Sequence, residues 1–182
     1  MNRIDEARAF IPVRIAVLTI SDTRIEAEDK SGALLVQRLS EAGHVLAEKA
    51  IVRDDIPGIR AVLSRFIADP QIDAVITTGG TGLTGRDVTV EAVMPLFDKV
   101  IEGFAAVFHQ ISYASVGTST MQSRACAGVA NGTYVFCLPG SSGAVKDGWD
   151  GILRYQLDAR HRPCNFVEIM PRLNEHKPRA TP

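Results

Sequence analysis

IDAVITTGGTGLTGRDVTV, residues 72–90, is the stretch on which the reading of this chain turns. Its first half is an apolar run, Ile72, Ala74, Val75 and Ile76, of the kind that forms a strand buried on both faces. Its second half sets Gly79, Gly80, Gly82 and Gly85 among Thr77, Thr78, Thr81 and Thr84, and after Arg86 and Asp87 a helix can start. A strand that empties into a glycine-rich turn and a helix N-terminus suits an anion. Glycine lets backbone N–H groups come close to a ligand, and the helix end adds partial positive charge. Phosphate is the expected anion. Gly80-Thr81-Gly82-Leu83-Thr84-Gly85 also fits the G-x-G-x-x-G spacing of dinucleotide sites, while the lack of a following Gly-Lys-Ser/Thr excludes a Walker loop. A carboxylate at Asp87 would repel a phosphate unless a divalent cation lay between them, which points to Mg2+-dependent chemistry on a polyphosphate. The same residue can instead cap a helix from Val88, and the two roles can coexist.

Working outward, strands and helices alternate on both sides. Residues 13–20 (VRIAVLTI) read as a buried strand ending at Ser21-Asp22, and 45–52 as a second ending at Asp54-Asp55. A helix capped by Asp29 or Ser31, carrying Leu34, Leu35, Val36 and Leu39 and stopped at Gly43, lies between them. Ile56-Pro57-Gly58 opens another, whose apolar face is Ile59, Val62, Leu63, Phe66 and Ile67. Beyond the central stretch, Pro95 ends its helix and residues 99–102 make a short strand. Residues 104–114 form an amphipathic helix with Phe104, Val107, Phe108 and Ile111 on one side, and 115–124 an irregular loop. Residues 125–130 and 133–138 form a hairpin around Asn131-Gly132, a type I′ turn. Pro139, Gly140, Ser141 and Ser142 then turn into a helix over residues 144–157, with Lys146 one turn in. This second turn offers another anion position or simply a Ser-capped helix with a solvated Lys. Trp149 reads as a packing residue, and Arg124 either as an anion ligand with residues 118–123 or as a solvated side chain.

Such alternation implies an α/β doubly wound fold with a mostly parallel sheet, in which ligands collect beyond the carboxyl ends of the strands. Ser21-Asp22, Asp54-Asp55, the glycine loop and Pro139–Ser142 would all meet there. Residues 1–12 are expected to be a flexible lead-in, 13–170 a single domain and 171–182 an exposed tail. With 182 residues, Lys+Arg 20 against Asp+Glu 21 and a net charge of −1, nothing argues for nucleic acid or an anionic membrane as partner. Three cysteines without a C-x-x-C pair suit reduced thiols, and the four histidines show no zinc spacing. The apolar run at 15–20 is too short to span a membrane and has no cleavage site behind it, so a cytoplasmic protein is expected.

Thr77-Thr78-Gly79-Gly80-Thr81-Gly82, Arg86-Asp87-Val88-Thr89, Gln122-Ser123-Arg124-Ala125 and Leu138-Pro139-Gly140-Ser141 together resemble the MoaB/Mog family of molybdenum-cofactor biosynthesis. The likeness runs from about residue 13 to 166, and QLDARHRPCNF, residues 156–166, resembles the MoaB branch. The resemblance implies a three-layer molybdopterin-binding fold. It also implies Mg2+-dependent adenylyl transfer from ATP to molybdopterin, releasing pyrophosphate. On its terms Asp87 and Asp54 are the catalytic, Mg2+-holding carboxylates. Gly79, Gly80, Thr81 and Gly82 line the nucleotide phosphates, and Ser21, Asp22, Pro139, Gly140, Ser141 and Ser142 face the pterin and its phosphate. No nucleophilic side chain stands out, so the molybdopterin phosphate itself would attack. Family members form trimers, and MoaB-like ones pair them into hexamers. A homotrimer or homohexamer is therefore expected here, closed through Phe104, Phe108 and Ile111 with Val107 and Tyr113 beside them, and other molybdenum-cofactor biosynthesis proteins are implied partners. Two other readings stand beside this one. The first is a non-catalytic molybdopterin-binding module; the second is an NAD-type dinucleotide-binding oxidoreductase with Glu102 as its ribose acid.

Overall fold

Three runs of apolar residues long enough to cross a sheet, Arg14–Ile20, Ala74–Thr78 and Thr133–Leu138, are almost wholly buried, and helices cover both their faces. The computed structural model describes residues 3–23 and 26–176. In chain order its elements are β1 (Arg3–Ile4), β2 (Arg14–Ile20), α1 (Lys30–Glu41), β3 (Val45–Val52), α2 (Ile56–Ala68), β4 (Ala74–Thr78) and α3 (Thr89–Val93). There follow β5 (Lys99–Val100), α4 (Glu102–Val116), β6 (Cys126–Ala130), β7 (Thr133–Leu138) and α5 (Ser142–Gly148). The last are α6 (Arg154–Gln156), β8 (His161–Arg162) and α7 (Phe166–Ile169), and a π-helical turn, Trp149–Leu153, joins α5 to α6.

The main sheet runs β3-β2-β4-β7-β6-β5. Its first four strands are parallel, and β6 and β5 are added antiparallel at one edge. The fold is thus an α/β doubly wound, three-layer arrangement about a mixed sheet. Side-chain alternation sorts the core: Ile15, Val17, Ala74, Ile76, Tyr134, Phe136 and Leu138 meet α1, α4 and α5 on one face. Their neighbours Ala16, Leu18, Ile20, Val75, Val135 and Cys137 meet α2 and α3 on the other. Chain order reverses at β2: α1 leads from it to β3 on one side, and α2 then carries the chain from β3 back past β2 to β4 on the other. That is the topological switch at which such sheets open a crevice.

Local signals behave as the sequence suggests at most junctions. Asp29 caps α1, Asp55 caps α2 and Ser141 caps α5, each accepting an N–H from the first turn. Gly43 follows α1 at φ +86, and Asn131 and Gly132 turn the hairpin at φ 50 and 86. Trp149 is buried packing. Four expectations change. Residues 3–12 are seated rather than loose: β1 pairs with β8, and Arg8 donates to the Ala159 carbonyl at 2.6 Å. Residues 117–122 form a 3-10 helix, Gly117–Gln122, rather than an irregular loop. The helix expected from residue 144 begins two residues earlier, at Ser142, because Ser141 takes the cap. Finally, Phe104 and Phe108 are inside the monomer, Phe104 against Phe136 and Phe108 against Phe104, so the exposed side of α4 carries Val107, Tyr113 and Val116 instead. Of the expected tail, residues 177–182 lie outside the described residues, as do residues 1–2 of the lead-in.

Candidate active site

All four parallel strands end at the same edge, so the segments that follow them converge. They enclose a polar cavity of about 480 Å³ lined by Ser21, Asp22, Asp54, residues 79–82, Asp87 and residues 139–141. Ser119, Gln122 and Ser123 close its remaining side. Every residue that the family resemblance assigns to a ligand is in this lining except Ser142, which begins α5; Lys146 and Arg124, the other anion candidates, are not part of it.

Backbone geometry makes the glycine loop. Gly79 sits at φ +113, its N–H donates to the Leu138 carbonyl at 3.0 Å, and a Cβ there would run into the Ile20 carbonyl. Gly80 follows at φ +62, where a Cβ would stand 2.7 Å from Asp54. No other residue tolerates both the dihedral and the approach. Thr89 then fastens the loop to the start of α3, its N–H donating to the Gly80 carbonyl and its hydroxyl to the Gly79 carbonyl, each at 2.9 Å.

The two carboxylates divide the work differently from the sequence expectation. Asp87 does not cap the following helix. It folds back on the loop and accepts the Thr84 hydroxyl at 2.6 Å and the Thr84 N–H at 2.9 Å. The Thr84 hydroxyl, with the Thr84 and Gly82 N–H groups and the Arg124 charge adding, holds its carboxyl below the usual carboxylate range. The cap comes from another strand: Asp54, past the end of β3, accepts the Val88 N–H at 3.3 Å. Burial pushes the Asp54 carboxyl up, and the charges of Asp87 and Asp22 push the same way. Asp22 is engaged by Arg86, whose Nε donates to it at 2.9 Å and whose Nη2 makes a second bond to the same oxygen. That pairing joins the turn after β2 to the glycine loop, at the lining of the cavity. The hydrogen bonds from Arg86 lower the Asp22 pKa.

Arg124 is partly exposed, but most of its guanidinium is committed within the protein. It binds the glycine loop from the strand-β6 side, donating from Nε to the Gly82 carbonyl and from Nη2 to the Asp87 carbonyl, both at 2.8 Å. Nothing in the sequence pairs it with Glu91, its carboxylate partner on α3. The Ser/Gly/Thr-rich segment before it was readable as an anion contact, and its Ser119, Gln122 and Ser123 do line the cavity.

A metal fits this donor set only in shared fashion. Among the described residues no three His, Cys, Asp or Glu side chains cluster as a self-sufficient metal site. Two carboxylates, Asp54 and Asp87, do line a cavity with a glycine loop, and Mg2+ characteristically takes one or two carboxylates and completes its shell with substrate phosphates and water. The dinucleotide reading fares worse: the loop closes on itself through Asp87 and Arg124 and opens a helix of only five residues.

Comparison with known proteins agrees with this geometry. The family model for a probable molybdopterin binding domain matches residues 16–159. Molybdenum cofactor biosynthesis protein B of Escherichia coli K12 is 52% identical over 157 residues, covering 86% of this chain and 92% of the relative. A crystal structure of a molybdenum cofactor biosynthesis protein B superposes with a TM-score of 0.83 at 41% identity, over 92% of this chain and 99% of the other. The tungsten cofactor synthesizing protein MoaB from Pyrococcus furiosus superposes at 0.67 with 41% identity, over 78% and 91%.

Proposed function

The chain belongs to the molybdopterin-binding family of molybdenum-cofactor biosynthesis proteins, and from that premise we propose that it transfers the adenylyl group of ATP to molybdopterin. The observation that carries this reading is the convergence of a glycine loop, the carboxylates of Asp22, Asp54 and Asp87, and a second, Ser-capped turn on one cavity. Two anionic reactants need adjoining cradles, and the turns after β4 and β7 supply them side by side.

In this reading residues 79–82 line the triphosphate, and the turn of Pro139, Gly140 and Ser141 receives the molybdopterin phosphate. The N–H groups of Gly80 and Thr81 turn to the triphosphate, while those of Gly79 and Gly82 hold Leu138 and Asp87. An oxygen of that phosphate forms a bond to the α-phosphorus as the bridging bond to the β-phosphate breaks, and pyrophosphate leaves with the electron pair. No protein nucleophile is required; the residues bind, align and shield. Asp54 and Asp87 would hold Mg2+, which when bound neutralises charge building on the phosphates. The raised pKa of Asp54 suits this role, since a carboxylate held up by burial first and by the charges of Asp87 and Asp22 after it gains from a nearby cation.

The test is turnover of ATP and molybdopterin with and without Mg2+, followed as pyrophosphate release. Mg2+-dependent release supports the reading; tight molybdopterin binding with no release under any condition would leave only a binding module. Association into a trimer or a pair of trimers, in the cytoplasm, completes the proposal. Because Phe108 is core, Val107→Glu and Tyr113→Glu are the variants that should lower the mass seen by light scattering, with the fold retained.

A further inference from the structure

The walls of the cavity come from segments far apart in sequence, and one side chain ties two of them together. Arg124 follows the 3-10 helix that brings Ser119 and Gln122 to the site. Its own N–H donates to the Thr81 carbonyl at 2.8 Å, and its guanidinium reaches the carbonyls of Gly82 and Asp87. The rest of the fork is held by the Glu91 carboxylate on α3, to which both Nη1 and Nη2 donate. Four of the five guanidinium N–H bonds are thereby committed, two to loop carbonyls and two to Glu91. A carbonyl turned outward to Arg124 turns its peptide, and so constrains where the N–H groups of the loop can point.

We infer that Arg124, oriented by Glu91, is a positioning residue that sets the glycine loop for a polyphosphate before the ligand arrives. The inference rests on the nucleotide reading of that loop. It adds a residue that does not line the cavity and works only through the carbonyls it holds. Arg is suited to the task where Lys is not, because a planar fork can span two carbonyls and a carboxylate while an ammonium is a single point. A loop allowed to relax should lose nucleotide affinity and alignment while the turn after β7 keeps its hold on the other substrate.

Arg124→Lys and the milder Glu91→Gln decide it, read by three measurements on the full chain. Amide hydrogen exchange should speed up at residues 81–87 in both variants and stay unchanged in β2, β4 and β7. The KM for Mg·ATP should rise by roughly tenfold in Arg124→Lys, with the KM for molybdopterin held within about twofold. Calorimetry with Mg·pyrophosphate as probe should show the same loss of affinity without any turnover. Unchanged exchange at the loop in both variants would overturn the inference, and so would loosening spread over the whole sheet or an equal rise in both KM values. If the wild-type protein binds neither Mg·ATP nor Mg·pyrophosphate, the nucleotide reading fails by itself. The exchange contrast then still reports whether Arg124 holds the loop.

Discussion

The turn after β4 and the turn after β7 leave neighbouring parallel strands at the same level, Thr78 opposite Leu138, yet they are held by different means. The second is held mostly from within: Ser141 caps α5 by accepting the Ala144 N–H at 3.1 Å, and one bond comes from outside, the Thr78 hydroxyl donating to the Pro139 carbonyl at 3.1 Å. The first is shaped by groups from elsewhere. The Ile20 carbonyl sets how close Gly79 must come, Asp54 caps the helix start, and Arg124 takes the carbonyls of Gly82 and Asp87. A turn that caps itself can be judged from its own five residues. A loop held from outside can be broken by changes tens of residues away, and that is the difference the following experiments exploit.

The sharpest contrast is between two glycines. Gly79→Ala forces a Cβ against the Ile20 carbonyl at a left-handed φ and should cost about 3 kcal/mol by denaturant titration. Gly143→Ala, in the first turn of α5, meets nothing closer than the Ser141 hydroxyl at 4.0 Å and should stabilise by about 0.5 kcal/mol. Equal effects would erase the distinction.

Next come the bonds inside the first loop. Asp87→Ala should lower turnover at least roughly a hundredfold and stability by only about 1 kcal/mol. Thr84→Val removes the hydroxyl bonded to Asp87 but keeps the carboxylate, and should retain most of the activity. If the two variants fall together, Asp87 serves the loop and not the reaction.

The second turn gives smaller effects. Ser141→Ala should lose about 1 kcal/mol with the cap. Ser141→Asp keeps a capping oxygen but adds charge, so it should weaken molybdopterin binding more than ATP binding in calorimetry. Smallest is a pH effect that separates the two carboxylates of the site. Asp54 has a folded pKa above its ordinary value, so its ionised form is disfavoured by folding. Its contribution is fully present below the unfolded pKa and is lost as pH rises through the folded one. Asp87 has a lowered pKa, and its contribution is present above the unfolded pKa and lost as pH falls through the folded one. Asp54→Asn should therefore be slightly more stable than wild type at neutral pH, with the gain vanishing in acid. Destabilisation at neutral pH would mean the Val88 bond outweighs the crowding.

How far the sequence carries follows from the same contrast. Short apolar strand runs, Asp, Ser and Gly at helix ends, and the Asn-Gly hairpin are local signals, and β2, β3, β4, the hairpin and the caps of α1, α2 and α5 were all readable from them. The convergence of Ser21, Asp54, the glycine loop and Pro139 followed from one topological rule. What stayed hidden was partnership at a distance. Asp87 beside Val88 looks like a cap, and only the end of β3 arriving with Asp54 makes that cap redundant. Arg86 with Asp22 and Arg124 with Glu91 carry no spacing that announces them, and an arginine in a loop offers no sign of which carbonyls it holds. The burial of Phe104 and Phe108 depended on how much of α4 the sheet could cover.

The strand order also has a consequence in time. β7 has two partners of very different reach: Ala130 pairs with Thr133 across a two-residue turn, whereas Tyr134 on the other edge waits for Ala74. Hairpins close in about 1–10 μs, while parallel pairing has to pay loop-closure entropy first. During refolding β7 should therefore be zipped to β6 on one side while its other edge, with Phe136 and Leu138 beside it, is still bare to solvent. Pulse-labelled hydrogen exchange should find the β6–β7 amides protected before those shared with β4, and simultaneous protection would refute that order. In that interval the apolar centre of the sheet is an open edge, and crowded refolding would lose material to aggregation there before it lost any to an imperfect site.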